Sequence, residues 1–137
     1  MKDTELKQIR DRDLYDVFIK GLEEGRFESM RDAADFVRKQ PAKQYYISSR
    51  EASLHIGRIE SRVSLIGLNP LSRRKIWQLY DNYIEYLQQH PDTELSRERI
   101  LELLVEEPAP EFYLGAEMTR KILQQQRSKR RKEWLRQ

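Results

Sequence analysis

The sequence predicts an all-α fold in which six helices form two tandem, helix-turn-helix-like three-helix units, related by pseudo-two-fold symmetry and carrying short extended connectors. Three observations point to it. A stretch near the N-terminus recurs later in the chain with its residues in the same order. Apolar residues recur at helical spacing inside each copy, bounded by capping residues, Gly and Pro. A Pro-Ala step followed by an aromatic pair occurs once per copy, each time after a short helical pattern.

The duplication is legible residue by residue. Leu14 to Leu22 reads LYDVFIKGL and Leu79 to Leu87 reads LYDNYIEYL, an offset of 65 with five identities. After a two-residue insertion around His90-Pro91-Asp92 the offset becomes 67, so that Ser29 matches Ser96, Phe36 matches Leu103 and Val37 matches Leu104. Pro41-Ala42 then matches Pro108-Ala109, and Tyr45-Tyr46-Ile47 matches Phe112-Tyr113-Leu114. The copies span about residues 5–63 and 71–126 of a single 137-residue domain, with 127–137 as a basic C-terminal tail. A chain of this length buries enough surface to fold without a metal or disulfide staple.

In the first copy, a helix from about Thr4 to Glu24 sets Leu14, Val17, Phe18 and Leu22 on one face, and Gly25 stops it. Ser29 with Asp32 three residues on opens a short second helix that turns Ala33, Phe36 and Val37 inward and ends before Pro41. Ala42 to Ile47, β-branched and aromatic, reads as extended, with its rings anchored against the first helix. Ser48 with Glu51 opens the third helix, whose inward face carries Ala52, Ile56, Ile59 and Val63.

In the second copy, Asn69-Pro70 and Ser72 open a helix running to about Gln89, with Ile76, Leu79, Tyr80, Tyr83 and Leu87 toward the core. The duplication places Tyr15 and Tyr80 in equivalent buried positions. Ser96 caps the next short helix, with Leu95 and Ile100 placed as a hydrophobic staple and Pro108 and Pro110 closing it. The last helix starts near Gly115 and continues into the tail, because Ile122 and Leu123 are followed by an unbroken run of good helix formers. The turn between second and third helices is longer than the three or four residues of the standard helix-turn-helix.

The motif PA-x-x-[FY]-[FY]-[IL], present from Pro41 to Ile47 and again as PAPEFYL from Pro108 to Leu114, resembles that of small uncharacterised proteins found in Bacteroides-type bacteria and their mobile elements. The resemblance covers Leu14 to Leu123 and implies the repeated domain plan. It implies no activity.

Composition narrows the function classes. With no cysteine, disulfides, thiolate metal sites and cysteine nucleophiles are excluded, and a reducing cytoplasm is the expected location. No apolar run approaches a membrane span, so no membrane partner is expected. His55 and His90 lack metal-ligand spacing, the pairs Glu23-Glu24 and Glu106-Glu107 are helix-end residues, and neither a Gly-rich phosphate loop nor a nucleophile elbow occurs. The expectation is no catalytic residue, no metal, no cofactor and no enzymatic activity.

What remains is charge. Net charge is +3 with pI near 9.2, yet Arg127, Lys129, Arg130, Arg131, Lys132 and Arg136 face only Glu133 in the tail, a balance of +5 that leaves −2 elsewhere. Cations concentrated on one segment neutralise several phosphates and release counterions, so the expected partner is nucleic acid, DNA ahead of RNA. Trp134 in that tail either stacks on a base or packs its helix onto the body. Arg73, Arg74 and Lys75 sit at a helix N-terminus, where the dipole disfavours cations unless an anion is near. If the third helices read DNA, Ser49, Arg50, Ser53, His55 and Arg58 face outward in the first copy, and Thr119, Arg120, Lys121 and Gln124 in the second. A competing expectation is an assembly or adaptor protein, a homo-oligomer included, whose basic tail meets the acidic face of Glu98, Glu102, Glu106, Glu107 and Glu111.

Overall fold

The computed structural model describes residues 2–136, so that Gln137 at the end of the expected tail lies outside it. The described residues form six helices and no strand: α1 (Asp3–Glu23), α2 (Met30–Arg38), α3 (Ser49–Glu60), α4 (Pro70–Gln89), α5 (Arg97–Leu104) and α6 (Ala116–Leu135). Local chemistry sets their ends. Ser29, Ser48, Asn69 and Ser96 each accept a hydrogen bond from the backbone N–H three residues on, at 3.1, 3.1, 2.8 and 3.3 Å. Pro70, which has no N–H to satisfy, takes the first helical position of α4. Gly25, at φ 67°, terminates α1: its N–H bonds to the Leu22 carbonyl and the Arg26 N–H reaches back to Gly21. Gly21 is itself required, since a Cβ there would run into the Phe27 ring.

The expected packing of each third helix within its own three-helix unit is not found. α6 lies against α1 and α2, while α3 lies against α4 and α5; the remaining helix contacts are α1 with α2 and α4 with α5. Among the described residues α2 and α3 do not touch, so the helix pair of a helix-turn-helix is not formed within a copy. The sequence shows that Ala52, Ile56, Ile122 and Leu123 form apolar faces, and all four are buried, but the faces that cover them belong to the other half of the chain. A fully buried side chain of this kind contributes about 1.5–3 kcal/mol.

The two connectors meet at the centre. Ala42 and Ala109 form a lone antiparallel bridge, each N–H donating to the other's carbonyl at 2.9 Å. Beside it the Tyr45 N–H donates to Val105, and the Phe112 N–H to Arg38. Tyr45 stacks on Tyr113 and Tyr46 on Phe112, with ring centroids 6.2 and 5.9 Å apart. The extended reading therefore holds only at the bridge, because Tyr46 and Tyr113 take left-handed conformations, φ 53° and 56°. Such φ values are strained for aromatic residues and persist where the surroundings fix them. Here the stacked rings do so, aided at Tyr46 by a hydrogen bond from its hydroxyl to Asp13 Oδ2 at 2.6 Å.

Some individual expectations need correction. Val63 lies beyond the end of α3 and is exposed. Leu95 is 46% exposed although Ile100 is buried. Tyr15 is buried but Tyr80 only partly, and the cause lies in α6: the Arg130 guanidinium sits 4.5 Å above the Tyr15 ring, whereas Val63, 67 residues before Arg130, lies past the last turn of α3 and supplies no matching cover.

Candidate nucleic-acid interface

α6 has two halves of different character. Up to Leu123 it is anchored by buried Thr119, Ile122 and Leu123; from Arg127 to Arg136 every residue is exposed. Helical structure continues there because Gln, Arg, Lys and Glu are good helix formers that need no apolar partner. Trp134, 71% exposed, does not fold back onto the body, and neither does Leu135, 66% exposed. A single tail residue is tied down: Arg130 Nη2 lies 3.5 Å from Asp16 Oδ1, with its guanidinium over Tyr15. Arg127, Lys129, Arg131, Lys132 and Arg136 make no ion pair among the described residues.

Helix geometry arranges these charges. Lys129, Lys132 and Arg136 stand at i, i+3 and i+7 and so form one exposed row along the helix. The extension from Arg127 to Leu135 is about 13 Å long at 1.5 Å per residue.

The other expected cations are dispersed. Of the triplet opening α4, Arg73 is half-buried without an ion pair; Arg74 pairs with Glu111 and lies 5.8 Å over the Tyr113 ring. Lys75 turns inward, and burial lowers its ammonium below the ordinary lysine range. The triplet is thus not one patch.

On α3, Arg50 and Arg58 are exposed, but the rest of the expected outward face is not. His55 is 6% exposed, and Ser53 accepts a hydrogen bond from Arg97 Nε at 3.1 Å. Arg97, from α5, also pairs with Glu60 and passes close over Gly57, so this side of α3 is a helix interface. In α6, Lys121 is exposed and Arg120 is held by Glu117, while Thr119 is fully buried with its hydroxyl donating to the Gly115 carbonyl at 2.8 Å. A periodic pattern identifies a polar position but not what eventually covers it. α3 and α6 belong to different helix clusters and do not pack on each other.

The acidic helix α5 packs on α3 and α4, away from the tail. Glu111 and Glu102 are taken up by Arg74 and Arg99; Glu98, Glu106 and Glu107 remain exposed. Lys7 and Arg10 escaped the sequence reading, yet both line a cavity with Lys75. The available signal was that Arg10 and Lys75 are 65 residues apart, the offset of the duplication.

No helix is long and apolar enough to cross a membrane, and no group of His, Asp or Glu among the described residues is disposed to hold a metal ion. Comparison with protein-family models, with curated proteins and with solved structures finds no match for this chain.

Proposed function

We propose that the protein binds nucleic acid, DNA ahead of RNA, without catalysing a reaction, and that the projecting half of α6 is its principal contact. The observation that carries this reading is the exposed row of Lys129, Lys132 and Arg136, without ion pairs among the described residues, on a helix whose continuation buries nothing apolar there. Phosphate oxygens are natural partners for cations presented this way, and a helix of ordinary diameter enters the major groove of duplex DNA. Trp134 adds an exposed aromatic surface. The exposed Arg50 and Arg58 of α3 are secondary contacts.

We also infer that the chain is a duplicated unit whose copies are related by an approximate two-fold axis and have exchanged their third helices. Exchanging the copies maps each helix contact onto another one, the Ala42–Ala109 bridge onto itself and Tyr46 onto Tyr113, both left-handed. On this reading the α6 extension is an addition to a symmetric body, as expected of a functional appendage.

The test is a fluorescence-polarisation titration of a generic DNA duplex at several salt concentrations, using the full chain and a chain ending at Gln126. The full chain should bind with strongly salt-dependent affinity, and truncation should flatten the slope of log affinity against log salt by up to about five units, at roughly 0.9 per phosphate contact. An unchanged slope would move the interface off the tail. Absence of binding by the full chain at low salt would sink the proposal and leave assembly, in which the tail reaches α5 of another copy.

A further inference from the structure

A cavity of about 800 Å³ opens where the N-terminal parts of α1, α3, α4 and α6 meet both connectors. That volume is in the range of small-molecule pockets, roughly 300–1,000 Å³. Its walls join residues that the duplication makes equivalent: Arg10 with Lys75, 65 apart, and Tyr46-Ile47 with Tyr113-Leu114, 67 apart.

Its chemistry is that of a place awaiting an anion. Lys75 is half-buried and makes no ion pair or hydrogen bond among the described residues; burial is the largest influence and disfavours its charge, Glu51 supports the charge, and the neighbouring Arg10 opposes it. Desolvating an ammonium without a partner is unfavourable, and an anion in the cavity would relieve it. Lys7 and Arg10 add positive charge, Arg10 being shared with Asp11 at 2.9 Å. Four helices begin at this cavity, and two, α3 and α4, are capped by their own side chains, Ser48 and Asn69. Neither α1 nor α6 has a side-chain cap; α6 starts at Gly115, leaving the N–H groups of its first turn and the positive end of its dipole open. His55, also in the wall and more than nine-tenths buried, has an Nδ1 without a hydrogen-bond partner. The carboxylates present are Asp3 and Glu51, the latter 3.7 Å from His55 Nε2. Ile47, Leu68, Phe112 and Met118 supply apolar wall.

We propose that this cavity binds a small organic oxyanion, a carboxylate or phosphate group on an apolar body, with Lys75 as its counter-charge and the open N-terminus of α6 as its hydrogen-bond donor. The apolar body lies against Ile47 and Phe112. The site is independent of the tail.

Amide NMR titrations of the full chain with benzoate and, separately, inorganic phosphate test this. Saturable shifts are expected at Ala116, Glu117 and Met118, and the probe that saturates first distinguishes carboxylate from phosphate chemistry. Lys75→Met should weaken binding by about tenfold or more without lowering the denaturation midpoint, since it keeps the apolar stem and removes an unpaired charge. Glu51→Gln should tighten binding by removing a competing carboxylate, and decides the matter should Lys75→Met fail to fold. A chain ending at Gln126 should bind both probes like the full chain. The proposal is overturned if neither probe saturates at those amides, if Glu51→Gln leaves affinity unchanged, or if truncating the tail abolishes the shifts.

Discussion

α3 and α6 each begin after an aromatic connector and each packs on two helices of the other half of the chain, α3 on α4 and α5 and α6 on α1 and α2, but α3 stops at Glu60 whereas α6 runs on to Leu135. Within the shared length both are amphipathic, with Ala52 and Ile56 buried in one, and Ile122 and Leu123 in the other. Beyond it the two helices part company. After α3 the backbone turns through Arg62, at φ 60°, into the loop before α4; after Leu123 the helix carries six cations into solvent. The shared half is explained by packing, while among the described residues the extra half buries no apolar side chain and is tied to the body only through Arg130.

The largest expected effect breaks α6 into its two halves. Leu123→Ala should destabilise the protein by about 2–5 kcal/mol, the range for a buried Leu, whereas Leu135→Ala should stay within about 0.5 kcal/mol. Urea denaturation of both variants measures this, and equal losses would erase the distinction between a packed and a projecting half.

Alkaline pH should attack the shared centre and spare the difference between the ends. Burial raises the hydroxyls of Tyr45, Tyr46, Tyr83 and Tyr113 above the ordinary tyrosine value. The folded state therefore holds these protons after the unfolded chain has begun to release them. Stability is intact below about pH 10 and falls above it, by at most about 1.4 kcal/mol per pH unit for each such group. Denaturation midpoints at pH 9 and 11 should drop alike for the full chain and the chain ending at Gln126. A midpoint that does not fall between these pH values would place the rings in contact with water.

The smallest effect separates two otherwise matching tyrosines. Tyr46→Phe removes the hydrogen bond to the Asp13 carboxylate and should cost about 1–2 kcal/mol, while Tyr113→Phe, whose hydroxyl has no such partner, should be close to neutral. Equal losses in denaturation would mean that the Asp13 contact contributes nothing net.

Much of this molecule is written locally. Ser29, Ser48, Asn69 and Ser96 start helices because each side chain satisfies an N–H only three residues away, and Gly25 stops one because, lacking a Cβ, it takes a positive φ without steric cost. The helical tail follows equally from its own run of helix formers. These elements and the charge of the tail were determined by the sequence itself. The tertiary structure alone decided which helix covers which. An apolar stripe specifies that a face will be buried but is nearly indifferent to which apolar partner buries it, so the crossing of α3 and α6 between copies was not legible. The same non-local choice placed His55 and Thr119 inside, gave Arg74 to Glu111, forced Tyr46 and Tyr113 into left-handed backbone and drew Arg10 and Lys75 to one cavity. In each case the deciding partner lies on another element, where short-range spacing carries no information.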